Sequence, residues 1–244
     1  MSRVDININK EMNLSNISSG KISYEERQKN LGFLRTLYSL FALELLIAVV
    51  WTSFALSYYP EFGDGIKRWW EFAIVSGVLC LLLILISFIF QFARNFPINV
   101  AIYLLFTFSF MHFTSWLCLV DPTYLVYYAL WLLLFIALGF AVYAWSTNSY
   151  MNTMISILVI VASTLIVFIA FLIFSEVIFL GLLLVLLGAI IYGFYLNYDV
   201  RKMVRGGASE YSREDAWTGA VRIWAEGLLV FTRFIELLGR SCCK

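Results

Sequence analysis

Charge is scarce in this chain of 244 residues: Asp, Glu, Lys and Arg make up 14% of it, against about a quarter in an ordinary soluble domain. Lys plus Arg number 17 and Asp plus Glu 16, a formal net charge of +1, so there is neither a basic footprint for nucleic acid nor an acidic tail. Histidine occurs once, at His112. Without a neighbouring Cys or carboxylate motif it makes neither a zinc site nor a two-histidine haem site, and a hydrogen-bonded core histidine is the expectation. The four cysteines do not form a disulfide framework. Cys80 and Cys118 fall inside apolar runs, where a small core residue is expected. Cys242 and Cys243, before the final Lys244, lie beside the last apolar run, a position that suits palmitoylation but lacks prenylation spacing. There is no Gly-x-Ser-x-Gly motif and no metal-ligand cluster, so neither an enzyme nor a cofactor is expected. The first 30 residues carry no apolar h-region, which argues against a cleavable signal peptide.

What the chain has is apolar surface: 62% of its residues are hydrophobic and 18% aromatic, so lipid is its expected solvent. A helix crossing about 30 Å of hydrocarbon needs about 20 apolar residues. Seven runs of that length lie between charges, prolines and turn residues, at 37–59, 70–92, 98–120, 123–145, 151–174, 177–198 and 216–238. They are continuously apolar rather than alternating and too long for barrel strands. The expected fold is therefore all-α: a polytopic membrane protein of seven transmembrane helices with a polar C-terminal helix. Residues 1–35 form a cytosolic, disordered tail in this reading, 36–239 the bundle and 240–244 a short C-terminal tail.

Basic residues near the run ends set orientation. Arg3, Lys10, Lys21, Arg27, Lys29, Arg35, Arg94, Arg201, Lys202, Arg205 and Arg213 fall on one side, and Lys67, Arg68, Arg240 and Lys244 on the other. The N-terminus is thus expected in the cytosol, where the sequons at Asn13 and Asn16 would stay unused.

Charges inside apolar spans normally face a bundle interior or a water-filled cavity. On an ideal helix Asp215, Glu226, Arg233, Glu236 and Arg240 all fall within about 40° of Arg222, one narrow stripe on the last run. The pairs Arg222 with Glu226 and Arg233 with Glu236 can partly neutralise each other. The stripe is either a set of structural salt bridges or a functional polar core. Ser212 and Asp215, after Gly206-Gly207, read as a capping box opening this helix. At the end of the sixth run Asp199 shares a face with Tyr195, Tyr192 and Gly188, and a short connection would bring it toward Glu226. Glu44, alone in the first run, is either a hydrogen-bonded buried acid or part of the same polar interior.

These residues resemble the transmembrane BAX-inhibitor-motif proteins, particularly the lifeguard and Golgi anti-apoptotic branch. The likeness covers residues 33–239. It rests on "FLRTLYSLFALELL" from Phe33, "FPINVAIYLLFTF" from Phe96 and, most specifically, on "YLNYDVRKM" from Tyr195 with the helix after it. The resemblance implies seven helices with the last at the centre, calcium leak from internal stores, pH sensitivity and suppression of cell death. It also implies a pH-sensing carboxylate pair beside the ion pathway, here Asp199 and Glu226, which would bind Ca²⁺ transiently, with Arg94 as a basic partner of Asp199. The sequence departs from the family pattern at Val200, at Asn148 and Tyr150, and at Arg222, whose cation would either hold Glu226 ionised or repel a passing cation.

Two functions follow as expectations. One is a pH-sensitive calcium leak channel, with Ca²⁺ as permeant ion, in the endoplasmic reticulum or Golgi, or alternatively the plasma membrane. Its partners would be the lipid bilayer and apoptosis-regulating or calcium-channel proteins, with no nucleic acid. The other is a non-conducting interaction protein that regulates apoptosis through protein partners.

Overall fold

In the computed structural model the residues described are 24–58, 61–68, 70–120, 124–147, 152–174, 179–205 and 215–224. They form α1 (Tyr24–Ser57), α2 (Glu61–Arg68), α3 (Trp70–Ile89), a 3-10 turn (Gln91–Arg94), α4 (Ile98–Val120), α5 (Leu125–Ser146), α6 (Thr153–Phe174) and α7 (Phe179–Arg205). Residues 215–224 are helical as well, and the described residues contain no strand. Six helices are long and apolar enough to cross a membrane: Asn30–Ser57, Trp70–Ile89, Ile98–Val120, Leu125–Ser146, Thr153–Ile173 and Phe179–Arg201. The seventh expected span, 216–238, is described only as far as residue 224.

Packing follows from how apolar residues are distributed round each helix. α1 packs on α4 and α5, α3 on α4, and α5 also on α6 and α7. Half of the most apolar stretch of α1 is buried against 22% of that of α6. α1 is therefore an interior helix, and α6 turns Met154, Leu158, Ile166 and Ile173 outward as lipid-facing residues do. Close approach is made at glycine. A Cβ on Gly139 of α5 would stand 2.7 Å from Ser163 Oγ and 2.8 Å from Val159 Cγ1 of α6. One on Gly193 of α7 would stand 3.0 Å from Ile160 Cγ2. Small residues let helices approach where lipid supplies no hydrophobic drive between them.

The tail and bundle divide earlier than expected. α1 begins at Tyr24, so residues 24–35 are helix rather than disordered tail. The apolar face begins before residue 37: Phe33, Leu34, Leu37, Tyr38 and Phe41 recur at helical spacing and are all buried. Arg35 ties this extension down, donating from Nε to Ala144 O (2.9 Å) and from Nη2 to Thr147 O (2.9 Å), with its guanidinium 5.5 Å from the Trp145 ring. It thereby caps the C-terminal end of α5.

The second span is shorter than 70–92, because α3 stops at Ile89 and the chain turns before Phe96-Pro97. The sixth is longer than 177–198. α7 runs to Arg205, and Arg201 is fixed by bonds from Nε to Asn197 Oδ1 (3.1 Å) and from Nη2 to Ser156 Oγ of α6 (3.1 Å). A helix can outlast its apolar stretch when its first polar turn has partners.

Candidate functional site

Among the described residues the segment 215–224 is deeply placed: eight of its ten residues are buried, and Trp217 and Trp224 are half-buried. Trp217 meets Tyr103 edge-on at 5.1 Å, and Trp224 packs 4.3 Å from Phe110 and 5.4 Å from Phe41. Gly219 lets Leu37 approach, with 3.0 Å left between a Cβ there and Leu37 Cδ1. Thr218 donates to the Ala93 carbonyl (3.1 Å). The segment thus sits against α1, α4 and the turn after α3. Asp215 is buried one helical turn before Thr218, and Arg94, next to its acceptor Ala93, is half-buried.

Arg222 is buried and reaches across to α3. Its Nε donates to Ser87 O at 2.9 Å, its Nη2 donates to the same oxygen, and its guanidinium lies 5.0 Å from the Phe88 ring. Ser87 belongs to the last turn of α3, where carbonyls lack helical partners and the helix dipole favours a cation. The pairing expected with Glu226 lies outside the described residues, as do Glu226, Arg233, Glu236, Ser212, Cys242 and Cys243.

Asp199 is 4% exposed, within α7. Tyr195 is half-buried, whereas Gly188, expected on the same inward face, is at the surface with nothing within 4 Å of a Cβ placed there. That face therefore leaves the interior about three turns before Asp199.

Glu44 is fully buried near the middle of α1. Neither carboxyl oxygen has a hydrogen-bond partner, which corrects the expectation of a hydrogen-bonded acid. The indole of Trp224 is the donor that faces it, but Trp224 Nε1 also lacks a partner, so the two approach without hydrogen-bond geometry. Arg222 and Trp224 are about 160° apart around their helix, so Glu44 lies on the face opposite the Arg222 stripe.

Sequence reasoning did not single out Tyr38, Tyr192 and Trp224 as a group. All three carry buried polar atoms without hydrogen bonds. Only Tyr192 carried a signal, its place on the Asp199 face of the same helix; the burial of Tyr38 and Trp224 is a matter of packing. His112, expected to be hydrogen-bonded, has an unpartnered Nε2 and packs edge-on against Phe72 at 4.6 Å. Among the described residues no three His, Cys, Asp or Glu side chains gather as a metal site.

Residues 31–242 match the family described as inhibitor of apoptosis-promoting Bax1. Human protein lifeguard 3 is 23% identical over 226 residues, covering 91% of this chain and 73% of that protein. No solved structure matches. The match over most of the chain, together with six apolar helices of spanning length, makes this a multi-pass membrane protein belonging to the family of inhibitors of apoptosis-promoting Bax1.

Proposed function

We propose that the chain is a pH-sensitive calcium leak pathway of an intracellular membrane, endoplasmic reticulum or Golgi, whose output is the modulation of calcium stores and of cell death. The supporting observation is the burial of carboxyl groups, Glu44, Asp199 and Asp215, among helices that are otherwise apolar. Ionisable side chains in such positions are costly and typically mark ion or proton routes. In this reading catalysis plays no part and Ca²⁺ is the transported ion. Oxygen ligands from Asp199 and, through the family resemblance, Glu226 would attract it transiently. Two neighbouring carboxyls that share a proton titrate as a pair, and losing that proton leaves a site of negative charge. Flux should then fall as the medium is acidified.

The test is calcium flux into liposomes containing the purified protein, followed from neutral to acidic pH. Wild type should conduct and close on acidification, and Asp199→Asn should flatten the curve because an amide takes no part in the shared-proton equilibrium. A protein that carries no calcium at any pH would defeat this reading in favour of a non-conducting partner-binding role.

A further inference from the structure

α1 is held unequally along its length. Of residues 31–44 nine are buried and one is exposed, whereas of residues 45–58 five are buried and six exposed. The bonds to its neighbours follow the same division. In its first half α1 is tied to α5 by the Arg35 guanidinium on Ala144 O and Thr147 O, both at 2.9 Å, and by Trp145 Nε1 on Ser39 Oγ at 3.0 Å. Tyr103 of α4 donates to Leu40 O (2.8 Å), and the last helix packs on Leu37 through Gly219 and on Phe41 through Trp224. In its second half two pairs of neutral hydroxyls join it to the same two helices: Thr52 Oγ1 with Ser115 Oγ of α4 at 2.9 Å, and Ser53 Oγ with Tyr127 Oη of α5 at 2.8 Å. A charge-assisted hydrogen bond such as those of Arg35 is about twice as strong as a neutral one.

A hydroxyl has one proton to give. Ser115 Oγ gives its own to Met111 O (2.8 Å), and Ser53 Oγ gives its own to Val49 O (2.7 Å). The interhelical protons therefore come from Thr52 and Tyr127. Thr52 and Ser115 are fully buried, and Ser53 and Tyr127 are half-buried. Thr52 stands five residues before the end of α1, Ser115 five before the end of α4 and Tyr127 two after the start of α5, so both pairs lie at one mouth of the bundle.

We propose that these two hydroxyl pairs are a gate at that mouth, which opens when the second half of α1 swings away from α4 and α5 about its better-held first half. Water replaces each neutral bond as the pairs part, so the closed and open states stay close in free energy. Parted, the four hydroxyls line the opening with neutral oxygen, which suits a hydrated cation. This deepens the calcium-leak reading and rests on it for what passes through the gate.

Thr52→Val with Tyr127→Phe removes both interhelical protons at nearly constant shape and leaves Ser115 and Ser53 on their own backbone acceptors, so no buried donor is stranded. The double variant should raise calcium flux into liposomes by about fivefold or more, with helix content and monodispersity unchanged. In the opposite direction, Thr52→Cys with Ser115→Cys, in a chain whose four native cysteines are replaced by alanine, forms a disulfide on oxidation. That cross-link should lower flux by about tenfold or more, and a reducing agent should restore it. A double variant that conducts like wild type, or a cross-linked protein that conducts like its reduced form, would each overturn the gate. Amide hydrogen exchange in liposomes reads the movement without calcium. Residues 45–53 of wild type should exchange at least about tenfold faster than residues 35–43, and Thr52→Val with Tyr127→Phe should speed the first stretch alone. Should wild type carry no calcium, the leak reading fails and the exchange decides: equal rates in the two stretches would overturn the swing of α1. Should either double variant fail to fold, the exchange of wild type decides in the same way.

Discussion

The Arg222 guanidinium caps a helix other than its own. Its two hydrogen bonds to Ser87 O and its stacking over Phe88 join the C-terminal segment to the end of α3. A buried cation on a helix C-terminal carbonyl gains from both the charged hydrogen bond and the dipole. Arg222→Ala should therefore destabilise the protein by about 2–4 kcal/mol, read as a lower unfolding temperature in detergent, and Arg222→Lys should recover part of that. The alternative reading, in which the arginine chiefly holds Glu226 ionised, makes a different demand. It requires the flux-against-pH curve of Arg222→Ala to shift toward higher pH with the unfolding temperature unchanged.

Between elements, contacts concentrate at a few small or cationic residues. Val159 is β-branched and stiff at χ1, so it cannot easily give way to a methyl group on Gly139. Gly139→Ala should cost about 1–3 kcal/mol by overpacking α5 against α6. Gly188→Ala meets nothing, and it should be neutral or stabilise by up to about 1 kcal/mol through improved helix propensity. Equal melting temperatures for the two variants would show that α5 and α6 do not depend on that close approach. At the other end of α5, Arg35→Gln removes a charged cap from Ala144 O and Thr147 O. A loss of about 1.5–3 kcal/mol is expected, measured by chemical denaturation in micelles.

For the whole molecule, six spans between residues 30 and 201 return the chain to the side on which α1 starts. The basic residues of the α1 extension and of the end of α7 are then expected on one face of the membrane, the cytosolic one by the bias of Lys and Arg. A protease applied to sealed vesicles should cut within 206–214 and within 1–23 from the same side. Cleavage from opposite sides would mean that one of the six helices does not cross. A tag after Lys244 protected on the far side would add 216–238 as the seventh crossing.

Much of this architecture was legible without coordinates, because about 20 continuous apolar residues have few other ways to satisfy their backbone in lipid. The spans at 70–89, 98–120, 125–146 and 153–173 lie within two or three residues of their sequence-based bounds. Misjudged ends are those where a helix leaves the apolar region with partners waiting: Tyr24 to Thr36, held through Arg35, and Asp199 to Arg205, held through Arg201. Hydropathy registers lipid and not such partners. Spacing likewise placed Arg222, Glu44 and Asp199 as buried charges, since lipid excludes an unpaired charge from its own face. It could not say what each one meets. Intrahelical spacing offers Arg222 a neighbour four residues away, whereas packing delivers a backbone oxygen 135 positions away. Glu44 looked like one more member of a polar interior, and the rotation of the last helix set Trp224, packed on Phe41 one turn before Glu44, on the face opposite the arginine. Sequence determines which groups lipid will not tolerate, and the tertiary structure decides which of them find partners, because helix rotation and crossing are settled by side-chain packing that periodicity does not encode.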